Sequence, residues 1–175
     1  MNNTAKNYWS ARLTLTGEAE TIALAHELRH GFNAGDTVLL SGPIGAGKSL
    51  FARAVIQGLL ADFDAVEDVP SPTFTLVQTY RAGRLEIWHS DLYRLGGVDE
   101  IDELGLFAAF ETAFCLVEWP DRLQTQLPRD ALTFDLNLYP DPGMRRLTIS
   151  ATASKWDWVR DTLRQWSTKP AIANG

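Results

Sequence analysis

The chain has 175 residues, 45% of them hydrophobic, a formal charge of −6 and a single cysteine. That length and apolar content suit one globular domain with a substantial core and leave two independent domains cramped. The negative balance argues against a protein that grips nucleic acid alone, because neutralising phosphates takes clustered Lys and Arg. Cys115, the lone thiol, cannot close an internal disulfide; it lies in an apolar run and reads as a packed side chain in a reducing compartment.

The first residues, Met1-Asn2-Asn3-Thr4, lack the apolar core of a signal peptide. No segment reaches the ~18 apolar residues of a membrane span, so a cytoplasmic protein with no membrane partner is expected. About eight residues at each end are expected to be disordered. Alternation in Arg12-Leu13-Thr14-Leu15-Thr16 predicts a half-buried strand. A helix follows over about 17–30, with Thr16 as its N-cap, Glu18 and Glu20 in its first turn, and Leu24, Ala25 and Leu28 facing inward.

Residues 36–41 read as a buried strand running into Gly42-Pro43-Ile44-Gly45-Ala46-Gly47-Lys48-Ser49, which fits G-x-x-x-x-G-K-[ST] at every fixed position. Small residues let the backbone curl so that its N–H groups face phosphate oxygens, and the following helix N-terminus adds its positive dipole. Lys48 is suited to the β- and γ-phosphates and the Ser49 hydroxyl to Mg²⁺. A glycine-rich turn matching by accident is the alternative, and the strand before and helix after weigh against it. Phe51, Val55 and Leu59 mark the inner face of that helix, which should end near Leu60.

Pro70 and Pro72 then bias the chain toward extended backbone. Segments 74–80 and 84–89, flanking Arg81-Ala82-Gly83, read as a β-hairpin. A helical stretch near 97–111 precedes a continuous apolar strand over 113–119, stopped by Pro120. Two more strands are predicted near 131–138 and 144–151. A last helix from Ser154 carries Trp156, Val159, Leu163 and Trp166 on one stripe. Trp158 falls off it, either marking a partner surface or packing on Tyr8-Trp9.

Three residues are candidates for chemistry beside the phosphate. Glu118, ending the apolar strand, sits where a Walker-B acid could hold metal or polarise water, or is merely a charge emerging at a strand end. Asp91 should share a strand face with His89 and could hold Mg²⁺ or its water shell; a salt bridge to Arg94 is the alternative. His89 itself reads as a structural histidine ahead of an acid–base group. Thr73, in a proline-stiffened loop, is placed like a switch threonine that senses the γ-phosphate. No Asn-Lys-x-Asp guanine-recognition element occurs, which favours adenine.

Ser41 to Ser49, Pro70-Ser71-Pro72-Thr73-Phe74-Thr75-Leu76-Val77, His89-Ser90-Asp91-Leu92-Tyr93-Arg94-Leu95, Glu103-Leu104-Gly105-Leu106 and Val117-Glu118-Trp119-Pro120-Asp121-Arg122 together resemble the TsaE (YjeE) family of small bacterial ATPases over about residues 12–150. The resemblance implies a single-domain α/β P-loop NTPase with a central mixed sheet flanked by helices, expected over residues 9–168. It implies ATP and Mg²⁺ as cofactors, with Gly42, Gly45, Ala46, Gly47, Lys48, Ser49 and Leu50 around the nucleotide. Thr73, Asp91 and Glu118 match the family's functional positions, and Ser49 and Glu118 its metal-binding ones. Implied too are the partners TsaD and TsaB, with tRNA met only through the complex, and a role in forming threonylcarbamoyladenosine at position 37 of tRNAs decoding codons that begin with A. Ser49 stands where Thr is more usual, keeping the hydroxyl, and Pro43-Ile44 replaces a commoner acidic-Leu pair. Two other readings stay open: a small-molecule kinase, although no arginine-rich lid is evident, and a non-catalytic nucleotide-gated binding module.

Overall fold

The computed structural model describes residues 8–166; the terminal segments expected to be disordered lie almost wholly outside them. The chain runs β1 (Trp9–Leu15), α1 (Glu18–Leu28), β2 (Thr37–Ser41), α2 (Lys48–Ala61), β3 (Val77–Ala82), β4 (Leu85–Asp91), α3 (Val98–Glu103), α4 (Leu106–Thr112), β5 (Phe114–Glu118), β6 (Leu132–Leu138), β7 (Arg145–Ala151) and α5 (Asp157–Trp166). Short 3₁₀ turns cover Arg29–Gly31, Pro120–Gln126 and Ser154–Trp156.

All seven strands join one sheet in the order β1-β7-β6-β2-β5-β4-β3. β6, β2, β5 and β4 are mutually parallel; β7 runs antiparallel to β6 on one flank with β1 antiparallel to β7 beyond it, and β3 runs antiparallel to β4 on the other. β2 and β5, at the centre, are nearly continuous apolar runs because both of their faces are covered. Val38, Leu40, Phe114 and Leu116 point into a core roofed by α1, α2 and α5, and Leu39, Cys115 and Val117 into a second core beneath α3 and α4. The α/β architecture with a mixed sheet between helices is therefore as the sequence predicts.

Several details differ. Thr16 is not the α1 cap: Gly17 holds that position, and the Thr16 N–H donates to Glu20 Oε2 at 2.6 Å, so the first-turn glutamate reaches back instead. The strand expected from Phe74 starts only at Val77, because Leu76 at φ 66° donates its N–H to the Pro72 carbonyl and turns the chain, leaving Phe74 86% exposed. The hairpin turns on Gly83-Arg84 alone, Ala82 pairing with Leu85 and Gly83 taking φ 61°. Gly105, at φ 78°, divides the single helix expected near 97–111 into α3 and α4. Trp119 leaves β5 in left-handed geometry rather than continuing the strand. Trp158 is half-buried: its ring centre lies 5.6 Å from that of Phe32, edge-on, and it lies across Gly31, where a Cβ would fall 2.4 Å from its ring.

Candidate functional site

The predicted site residues gather at the carboxyl ends of the parallel strands, where open α/β sheets bind ligands. Register places Leu40 beside Glu118 and Glu118 beside Asp91, so both carboxylates stand level with the last residues before the glycine-rich loop. Both are nearly sealed from solvent, Glu118 at 2% and Asp91 at 5% exposure.

The start of the loop demands glycine. Gly42 adopts φ 129°, and a Cβ there would lie 1.9 Å from the Leu136 carbonyl oxygen of β6. Gly45 and Gly47 also take left-handed φ, and Gly47 caps α2. The Gly45 carbonyl accepts a hydrogen bond from Arg145 Nη2 at 3.3 Å, which ties the loop to β7. Ala46 is buried, whereas Ile44 at the loop tip is 70% exposed.

Lys48, only 5% exposed, folds back so that Nζ donates to the Gly42 carbonyl at 2.7 Å and the Pro43 carbonyl at 2.9 Å. The same ammonium lies 4.1 Å from the centre of the Trp119 ring, itself packed at a tilt of 46° against Tyr93, ring centroids 4.8 Å apart. Burial lowers the Lys48 pKa, and the charges of Glu118 and Asp91 pull it back up.

A chain of short polar contacts links the predicted residues. Ser49 donates from Oγ to Glu118 Oε2 at 2.8 Å, and Thr73 donates from Oγ1 to Asp91 Oδ2 at 3.1 Å. Each hydroxyl has one proton, so Ser71 donates to Thr73 Oγ1 at 2.9 Å, and its 3.5 Å approach to Ser49 Oγ closes the arc without a strong hydrogen bond. Asp91 Oδ1 accepts the Tyr93 N–H at 3.0 Å; Arg94 makes no ion pair with Asp91 but reaches the Thr73 carbonyl at 3.5 Å and lies over the Phe74 ring. Glu118 Oε1 meets His89 Nε2 at 2.8 Å. Ser49, Thr73, Asp91 and Glu118, nominated from separate segments, thus converge beside the loop. Leu50 follows in the first turn of α2, half-buried.

Ser71, Trp119 and Arg145 were not singled out from the sequence as loop or site contacts. Ser71 and Trp119 carried a signal, their places in the Ser-Pro-Thr and Glu-Trp-Pro segments; the Arg145 contact arises from tertiary packing with no local pattern. Among the described residues no three His, Cys, Asp or Glu side chains form a metal-holding group. The donors present, one hydroxyl and carboxylate oxygens, are hard ligands suited to a Mg²⁺ that keeps several waters and shares phosphate oxygens. With the glycine cradle and buried Lys48 beside them, the residues fit a magnesium–nucleotide.

Similarity to known proteins runs along most of the chain. The family described as "Threonylcarbamoyl adenosine biosynthesis protein TsaE" matches residues 15–146. The tRNA threonylcarbamoyladenosine biosynthesis protein TsaE of Rickettsia conorii is 42% identical over 142 residues, spanning 81% of this chain and 78% of its own. The protein of the same name from Bacillus subtilis is 33% identical over 145 residues, spanning 82% and 87%. The crystal structure of Bacillus subtilus YdiB superposes with a TM-score of 0.68 at 26% identity, covering 92% of this chain and 98% of that one. The loop, the paired carboxylates and this breadth of similarity agree, and the chain belongs to the TsaE family.

Proposed function

We propose that this chain is a cytoplasmic, magnesium-dependent ATPase that works with TsaD and TsaB in forming threonylcarbamoyladenosine in tRNA. The convergence of Lys48, Ser49 and Glu118 beside a loop that tolerates only glycine at Gly42 carries the reading. Relatives named for tRNA threonylcarbamoyladenosine biosynthesis support the pathway. No helix of the described residues is long and apolar enough to cross a membrane.

In this reading the loop N–H groups and the α2 N-terminus bind the phosphates, and Lys48 exchanges its two loop carbonyls for β- and γ-phosphate oxygens. Ser49 and Glu118 would hold Mg²⁺, which when bound neutralises charge developing on the phosphates. Asp91 holds Thr73 by its hydroxyl, and Thr73 senses the γ-phosphate end of the site. Glu118, sealed from bulk water, orients the attacking water. ATP hydrolysis then resets the assembly rather than supplying the modifying group, a division that suits an acidic protein meeting tRNA only through its partners.

The experiment is nucleoside mass spectrometry on tRNA from cells whose only copy of the gene encodes either the native chain or Lys48→Ala. The modified nucleoside should be present with the native chain and lost with the variant. Full modification by Lys48→Ala would contradict the proposal.

A further inference from the structure

His89 is a buried polar group in direct contact with Glu118. It lies on β4 at 1% exposure, on the same strand face as Ile87 and Asp91, pointing toward the α2 side of the sheet. Its Nε2 is 2.8 Å from Glu118 Oε1, and its Nδ1 is buried with no hydrogen-bond partner among the described residues.

A carboxylate can only accept, so the hydrogen of this bond sits on His89 Nε2. A hydrogen on Nδ1 would leave a buried donor unpaired, whereas a bare Nδ1 lone pair costs less. A histidine kept for packing alone commonly satisfies both ring nitrogens; this one makes a single polar contact, and that contact is the carboxylate. The bond occupies Oε1 and stops the flexible glutamate from rotating about its terminal torsion. Oε2 is left facing the Ser49 hydroxyl at 2.8 Å, at the mouth of the glycine-rich loop.

We propose that His89 is a positioning residue: it fixes the Glu118 carboxylate so that Oε2 is presented to the metal and phosphate side of the site. The proposal rests on the function given above only in assigning Glu118 to the Mg²⁺–nucleotide. Outer-shell partners of this kind tune metal affinity and activity by ~10–100-fold.

The test uses the full chain with His89→Leu, which removes the donor, and His89→Gln, whose side-chain N–H₂ reaches a similar point. Calorimetric ADP binding is titrated against Mg²⁺ in the isolated chain, and ATP turnover is followed with TsaD and TsaB present. For His89→Leu the Mg²⁺ midpoint should rise about 10-fold and kcat fall at least ~10-fold, with KM for ATP within about 3-fold; His89→Gln should recover most of both. Nitrogen-resolved imidazole spectra of the unmodified chain, which has three histidines, should place the hydrogen on Nε2 of His89. A hydrogen on Nδ1 alone, equal losses in the Leu and Gln variants, or a native midpoint in His89→Leu would overturn the proposal, and the spectrum decides even if His89→Leu fails to fold. If the native chain assembled with its partners hydrolyses no ATP, the ATPase reading fails instead, and the spectrum and Mg²⁺ midpoint still judge His89.

Discussion

Gly42 and Gly45 belong to the same loop and are both left-handed, yet their surroundings make opposite demands. A methyl group at Gly42 collides with backbone, 1.9 Å from the Leu136 oxygen, whereas at Gly45 it meets nothing within 4 Å. Gly45→Ala should cost only the left-handed strain, about 1–2 kcal/mol by denaturant titration, with nucleotide binding largely kept. Gly42→Ala must push β2 away from β6, so calorimetry should find nucleotide binding lost. Cys115 is equally specific: burial, and to a lesser degree the charge of Glu86, push its thiol up to about 12. Alkylation of the native protein at pH 8 should therefore be negligible and become rapid after denaturation.

At the scale of elements, periodicity made most of the fold legible because it reports burial. Leu24, Ala25 and Leu28 of α1, and Trp156, Val159 and Leu163 at the C-terminal end, are all buried as their spacing predicts. What stayed hidden were reversals set by one backbone angle, at Leu76 and Gly105, and contacts between distant segments such as Trp158 on Gly31. The site followed the same division: residue types nominated Lys48, Ser49, Thr73, Asp91 and Glu118, while Ser71 as their link required the folded loop.

The 3₁₀ turn that leads into α5 offers two tests at this scale. Trp156 is fully buried and donates from Nε1 to the Asp130 carbonyl, so Trp156→Ala should cost about 3–5 kcal/mol in chemical denaturation. Lys155 bridges Asp36 at 3.2 Å and Asp130 at 2.6 Å. Burial alone would lower its pKa, but those two carboxylates raise it above the usual 10.5. A raised lysine stabilises fully below its unfolded value and stops doing so as pH climbs through the folded one. Lys155→Met should thus lose about 1 kcal/mol at neutral pH, allowing for solvent screening, and the gap to the native chain should close above pH 10.5.

For the whole molecule, a sheet whose central strands β2 and β5 are buried on both faces makes a rigid platform, and its parallel centre aims three strand ends at one place. β2 delivers the phosphate loop, β4 delivers Asp91 and β5 delivers Glu118, while the Arg53 Nε bond to the Val69 carbonyl at 3.0 Å holds the approach to the Thr73 loop against α2. In the function proposed here, that geometry would separate binding, assigned to the loop and Lys48, from chemistry, assigned to the carboxylates. The central claim is hydrolysis of ATP rather than transfer to an acceptor or mere binding. Release of γ-labelled phosphate should be followed with TsaD and TsaB present, for the native chain and Glu118→Gln. The label should appear as inorganic phosphate, with Glu118→Gln slower by about 10²-fold or more while ATP affinity changes little. Label recovered on another hydroxyl compound, or a native rate from Glu118→Gln, would contradict the account.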